Sequence, residues 1–434
     1  MNLHLGRIKL GVSEPIPLPR MVPVRQTFES RRISPDEIDG IVADQFERDE
    51  INAKIKPGMR IAVGVGSRGI ENIARIVRAT VHELKRRGAD PFIVPAMGSH
   101  GGATAEGQTK ILAEYGVTEE FVGAPVRSSM ETVHLGEVLD GVEVHFDKTA
   151  YEEADGILVV CRVKPHTDFK ARIESGIMKM LGIGLGKHKG ASYLHKFGMD
   201  RFGELLPAVG KFIMERTPIL GGVAITEDAY HSTAAIEVVP REQLPGREEE
   251  LLVEAKRLMP RFWLDEIDVL IVDRIGKNIS GSGMDPNVIG RSGTNRSFGD
   301  GPAVSRILVR GLTPETKGSA VGIGLAEFTT KRVVEQIDFA PMYTNVITAM
   351  EVSGGKLPII LENDEEAVSV AIYTTGKKNY ADAKVVRIKH TLAMEEILMS
   401  ENLLPLVEAH PMMEAIGEPQ EWRFDEDGYL PDEP

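Results

Sequence analysis

The sequence predicts an α/β protein with two α/β regions and mainly parallel sheets. Three observations predict it. Short apolar runs at 60–65, 91–96 and 156–161 alternate with amphipathic stretches, and this strand–loop–helix repetition implies parallel pairing through right-handed crossovers. A polar, proline-bearing segment at 240–250 (PREQLPGREEE) interrupts the pattern, and a new apolar run at 267–273 reopens it. The length, 434 residues, calls for more than one domain, and 42% hydrophobic with 27% charged residues is the composition of a globular chain.

Taken in order, a strand is read over 3–10, followed by a proline-rich connector through Pro15, Pro17, Pro19 and Pro23. Regular alternation begins with the strand at 60–65. A helix follows over 70–87, because Ile73, Ile76, Val77, Val81 and Leu84 recur three and four residues apart and so share one face. Strand 91–96 and helix 104–115 repeat the unit, and 156–161 is the third strand. Behind the 240–250 segment comes a short helical pattern, then strand 267–273, with further strands at 306–309, 358–361 and 384–388. Domains are accordingly expected at 1–250 and 251–434. There is no internal repeat. The acidic end, EWRFDEDGYLPDEP, is expected to be partly disordered.

Charge and cysteine content exclude several functions. With 51 basic against 65 acidic residues the formal charge is −14, which argues against general binding of nucleic acid or of an anionic membrane. Cys161 is the sole cysteine, so neither an intramolecular disulfide nor a multi-cysteine zinc or iron–sulfur site is available. Inside a strand, it reads as inert core. No run approaches the roughly 20 apolar residues of a membrane span, and the first residues lack a signal-peptide pattern. The expected location is cytoplasmic.

In parallel sheets the loops at the carboxyl ends of the strands share one edge, where ligands bind. The loops after the first three strands carry Arg68, His100 and His166. Residues 64–69 (GVGSRG) match G-x-G-x-x-G, a turn suited to an anion, to which Ser67 adds a hydroxyl and Arg68 a charge. The second strand ends without the acidic residue that NAD requires, so one phosphate suits the loop better than a dinucleotide; a simple tight turn is the plainer alternative. His100 lies among Gly98, Gly101 and Gly102, where a ligand can approach an imidazole that titrates near neutrality. His166 follows the stiffening Pro165 and has Asp168 nearby, as a base held in one tautomer would. For each, the plainer reading is a surface histidine.

Lys179 differs in kind: it is a cation among large apolar residues in GIMKMLG. Burial makes a lysine shed its proton and serve as nucleophile, Schiff-base former or attachment point. The alternative is an exposed helical lysine. His188 and His195, seven apart, would stand on one helical face and could share a metal, but Lys189-Gly190 between them argues against a continuous helix.

Three segments, MGSHGGAT (97–104), the histidine- and glycine-rich run 164–195, and RIGKNISGSGMDPN (274–287), carry a resemblance to the nickel-dependent lactate racemase family that covers most of the chain. The resemblance implies two α/β domains flanking an interdomain cleft and a nickel pincer nucleotide (pyridinium-3,5-bisthiocarboxylic acid mononucleotide nickel). Its attachment lysine would be Lys179 and its nickel ligand His195, in preference to His188. Ser67 and Arg68 would receive the cofactor phosphate, and His100 and His166 would be the catalytic bases. The implied activity is racemisation or epimerisation of 2-hydroxy acids by reversible hydride transfer through a 2-keto acid. Two histidines, one for each hand of substrate, suit that symmetry. Lys277 and Arg172 are the candidates for holding the substrate carboxylate. The implied partners are a small hydroxy acid and the enzymes that make the cofactor; a homo-oligomer is left open.

The chain departs from the family in carrying Val65 where an aspartate precedes the phosphate-loop arginine, in a longer spacing between His166 and Lys179, and in the 274–287 loop. A larger hydroxy acid or a sugar acid is therefore expected at least as much as lactate. Three other readings stand beside this one: a nicotinamide-dependent dehydrogenase using 64–69, a zinc hydrolase ligated by His100, His166 and His195, and a non-catalytic ligand-binding homologue.

Overall fold

In the computed structural model, residues 16–66, 69–139, 141–293 and 298–432 are described. The chain divides into two compact units, a first of Glu29–Met259 and a second that joins Met1–Phe28 to Pro260–Pro434. Strand β1 (Met21–Gln26) belongs to the second unit. The division thus differs from contiguous 1–250 and 251–434 domains: β1 pairs antiparallel with two strands from near the end of the chain. The predicted strand at 3–10 lies outside the described residues.

The first unit contains β2 (Arg60–Val65), β3 (Asp90–Pro95), the hairpin β4 (Thr132–Val138) and β5 (Val142–Asp147), then β6 (Gly156–Arg162), β7 (Ile219–Glu227) and β8 (Thr233–Pro240). Among the described residues its sheet runs β3-β2-β6-β7-β8, parallel except for the last pair. Successive side chains of a strand point to opposite faces, and here they feed two cores. Phe92, Val94, Ile157, Val159 and Cys161 pack on one face. Ile61, Val63, Val65, Ile93, Leu158 and Val160 pack on the other, against Ile73, Ile76, Val77 and Leu84 of helix Ile73–Arg86. The apolar strand runs are thus the signature of a sheet covered on both sides. Cys161 is buried in the first of these cores, and burial pushes its thiol well above the ordinary range, as inert filler requires.

The second unit contains β9 (Glu266–Val272), β10 (Ala303–Val309), β11 (Phe328–Thr330), β12 (Ile359–Leu361), β13 (Val385–Ile388), β14 (Glu396–Ser400) and β15 (Met413–Ala415). Its order is β12-β11-β10-β9-β13-β14-β1-β15, parallel from β12 to β13 and antiparallel beyond. Both units are therefore α/β with mainly parallel sheets, as the sequence predicts.

Over its described residues the acidic end is packed into the second unit, contrary to the expected partial disorder. Leu430 is buried in the second unit's core, and the Trp422 indole donates to the Pro19 carbonyl at 2.7 Å. Two buried arginines fix the tail: Arg310 donates to the Leu430 carbonyl at 2.8 Å and Arg387 to that of Pro431 at 2.6 Å. Composition shows the acids, but not the buried donors that await them. Among the described residues no helix is long and apolar enough to cross a membrane.

Candidate active site in the first unit

The run from Lys164 to His195 is not a single loop. After a β-bridge between Lys164 and Ser175 it forms a helical turn, Ile177–Lys179, a wider turn, Met180–Gly184, and a helix, Lys187–His195. In the wide turn the Leu185 N–H reaches back five residues to the Met180 carbonyl at 2.8 Å. Such π-type turns recur at functional sites. Ile177, Met178, Leu181, Leu185 and Leu194 anchor the segment in the core of one sheet face.

Two strand-end loops meet this segment. Behind β2, a side chain at Gly66 would lie 3.2 Å from the Met180 methyl. Behind β3, the Gly98 N–H donates to the Gly184 carbonyl at 3.1 Å. Gly98 has φ +59°, and a Cβ there would stand 3.2 Å from the Ile183 carbonyl and 3.4 Å from Ala191. Only glycine fits both the left-handed backbone and that approach. Ser67 and Arg68, the predicted phosphate loop, lie outside the described residues.

Lys179 is half-buried and His195 likewise. The His195 Nδ1 lies 2.5 Å from the Ala191 carbonyl. A carbonyl only accepts, so Nδ1 carries the hydrogen and Nε2 keeps its lone pair, the form in which histidine ligates a metal. Burial, foremost, and then the positive charge of Lys179 hold the His195 pKa below its ordinary value, against the opposing influence of the Ala191 carbonyl and Asp168. Lys179 and Asp168 are therefore each within electrostatic reach of His195. Aromatic contacts continue the connection: His195 packs on Phe202 at 5.1 Å between ring centroids, Phe202 on Phe169 at 5.6 Å, and Phe169 on His166 at 4.4 Å.

The loop that carries His166 is folded around a carboxylate. Glu174, 1% exposed, accepts the His166 N–H at 2.7 Å and the Lys256 ammonium at 2.6 Å. The Asp168 N–H donates to His166 Nδ1 at 3.1 Å, so the neutral ring carries its hydrogen on Nε2; the Asp168 carboxylate stands 3.6 Å from the same Nδ1. His100 is half-buried at the start of a short 3₁₀ turn. Its loop is clamped by the fully buried Gln108, whose amide donates to the carbonyls of Gly98 at 3.0 Å and His100 at 3.3 Å.

Arg172 is turned outward, 86% exposed, with its guanidinium 2.6 Å from Glu249. Lys277 belongs to the second unit, where its N–H donates to Thr316 Oγ1 at 3.4 Å. His188 shares one unbroken helix with His195, contrary to the expected interruption, because Gly190 lets that helix press against His145 of β5. It is nonetheless exposed, 3.3 Å from Ser192 Oγ.

Two supports escape sequence reasoning. Lys187 is fully buried at φ +54°, 2.8 Å from the equally buried Asp147 of β5, and donates to the Pro95 carbonyl at 2.5 Å. It joins the helix of His195, the hairpin and the end of β3. Burial lowers its pKa, and Asp147 opposes that. Glu248, 1% exposed on helix Gly246–Leu258, accepts the Met178 N–H at 2.9 Å and so caps the turn that ends at Lys179.

Fold and site together define an α/β protein in which Lys179 and His195 stand on either side of a wide helical turn packed against loops at the carboxyl ends of a parallel sheet. Residues 55–242 match the family model described as a domain of unknown function, DUF362. The structure is similar to that of the lactate racemase apoprotein from Thermoanaerobacterium thermosaccharolyticum, with a TM-score of 0.51 and 12% sequence identity, over 87% of this chain and 99% of that one. No curated protein matches the chain. The resemblance read from the sequence is thereby met in the fold.

Proposed function

We propose that the protein is a racemase or epimerase of 2-hydroxy acids that carries a nickel pincer nucleotide on Lys179. One observation supports this above the rest: the Ala191 carbonyl holds His195 in the tautomer that leaves Nε2 unprotonated, with the Lys179 amine in electrostatic reach. These residues fit the group. A half-buried amine is a suitable covalent anchor, and a neutral imidazole is a ligand that nickel accepts. Among the described residues no three His, Cys, Asp or Glu side chains gather as a metal site. When bound, that group would supply the acceptor and donor of the Cα hydrogen.

The chain's own residues manage the substrate hydroxyl proton. His166 is set up as one base. To accept at Nε2 the neutral ring first gives up its Nε2 hydrogen to solvent and takes one at Nδ1, which turns from the Asp168 N–H to the Asp168 carboxylate; that carboxylate then stabilises the imidazolium. His100, on a separate loop clamped by Gln108, is the base for the opposite hand of substrate. The Glu174 carboxylate and the apolar wall of Phe169 and Phe202 keep the His166 loop in place. Arg172, exposed and already matched by Glu249, has no part in this scheme.

The test is expression in a host that also makes the cofactor, followed by intact-mass and nickel analysis and a chiral assay over a panel of 2-hydroxy acids in deuterated water. The expected result is a mass adduct at Lys179, lost in Lys179→Ala, with racemisation that leaves the Cα hydrogen largely unexchanged. Racemisation by protein with an unmodified Lys179, or extensive Cα deuteration, would overturn the proposal.

A further inference from the structure

At the carboxyl ends of the second unit's parallel strands, a cavity of about 470 Å³ is lined by Arg274, Thr313, Arg332, Gln336 and Asp432. The lining follows from topology: Arg274 follows β9, Thr313 follows β10 and Arg332 follows β11, and loops at this edge are where α/β sheets bind ligands. Asp364, which Arg332 also reaches, belongs to a network in which two buried guanidinium groups meet two buried carboxylates. Arg310 stands 2.5 Å from Asp273 and 2.7 Å from Asp364, and Arg387 stands 2.9 Å from Asp273. That network is balanced in charge. The cavity's own arginines are held in place from outside it. The Arg274 guanidinium packs against Gly311, where a Cβ would fall 1.9 Å from its Nη1. Arg332 stacks over the Tyr429 ring at 4.1 Å and stands 3.4 Å from Asp364.

One carboxylate of the cavity lining comes from the chain's own tail. Asp432, 68% exposed, reaches Arg274 Nη2 at 2.9 Å. The tail is brought there by Leu430 in the core and by the Arg310 and Arg387 bonds to its carbonyls. We propose that this cavity is a binding site for a small carboxylic acid, recognised by Arg274 and Arg332, and that Asp432 is its resident competitor. Guanidinium forks suit carboxylates, and the volume suits a compact metabolite. An exposed ion pair is weak, so Asp432 yields to a ligand present in excess, and the site is graded by ligand concentration. This inference is independent of the reading of the first unit.

The experiment is calorimetric titration of the full chain with succinate, a dicarboxylate that lacks the hydroxyl of the proposed substrates. Inorganic phosphate serves as the comparison anion. Asp432→Ala removes an exposed side chain and is expected to tighten succinate binding by up to about five-fold, the upper range for an exposed ion pair. Adding Arg274→Gln or Arg332→Gln to that variant is expected to weaken binding at least about ten-fold, since each removes a charge-assisted contact. Succinate binding that is absent, or unchanged by Asp432→Ala, overturns the proposal. So does binding indifferent to both arginine substitutions, or a preference for phosphate.

Discussion

Replacing Glu248 by glutamine tests how the lysine-bearing turn is held. The carboxyl is 1% exposed, and a Cβ at Gly176 would lie 2.4 Å from its Oε1, so chain packs closely around it. Desolvation raises its pKa from 4.5 to about 8, ahead of the opposing N–H bonds from Met178 and Ile177; nearby Glu249 adds to the rise. Its folded pKa lies above its unfolded one. Its contribution to stability is therefore complete below about pH 4.5 and is lost as pH climbs to about 8, because over that range the unfolded chain gives up a proton that the folded chain keeps. At about 1.36 kcal/mol for each tenfold change in proton affinity, that is on the order of 5 kcal/mol across this window. The glutamine of Glu248→Gln would keep an acceptor for the Met178 N–H and could not ionise. Urea unfolding of both proteins between pH 5 and pH 9 should show the parent losing stability relative to Glu248→Gln as pH rises, with a divergence of several kcal/mol. Two curves that stay parallel would refute a buried, neutral carboxyl at this position.

Three further outcomes are expected. Lys187→Met leaves Asp147 charged and fully buried, so the urea midpoint should fall by the equivalent of about 3–5 kcal/mol, and the double variant Lys187→Met/Asp147→Asn should recover much of that, because asparagine can still cap Ala150. Gly98→Ala forces a side chain into a left-handed residue against the Ile183 carbonyl and should cost about 1–2 kcal/mol by thermal or urea unfolding, together with a loss of the proposed racemase turnover as the His100 loop is displaced. Arg172→Gln removes an exposed ion pair and should change stability by less than about 1 kcal/mol; the KM for the hydroxy acid should stay within about two-fold, the limit of a contact worth under half a kcal/mol.

The parts of the fold legible in the sequence are those whose signal is local. Strands β2, β3 and β6 announce themselves as apolar runs, and helix Ile73–Arg86 by its spacing, because each is buried by neighbours the same periodicity specifies. β1 is hidden by the prolines around it, and because its partners β14 and β15 lie at the other end of the chain. β11 and β12, three residues each, are too short to show a period; only its isoleucines mark the strand at 358–361. The order of the acidic tail is illegible for a different reason. Composition sees Asp425, Glu426 and Asp427, but order is decided by Arg310 and Arg387, which are donors buried far away in sequence.

The same distinction separates two lysines eight residues apart. Lys179 and Lys187 both sit in apolar, glycine-rich surroundings, so the argument that singles out the first applies equally to the second. What parts them is burial, complete at Lys187 and partial at Lys179. Asp147 of β5 meets Lys187 inside the core, leaving a closed ion pair with no exposed surface, fit to hold β3, β5 and the helix together. At Lys179 the turn widens to a π-type hydrogen bond, the side chain is only half-buried, and its charge bears on His195. An amine that is accessible and coupled to an imidazole can take a covalent load, whereas one sealed against a carboxylate cannot. Intact-mass mapping of a chain charged with cofactor should therefore find the adduct at 179, and an adduct at 187 would require the core around Asp147 to open first.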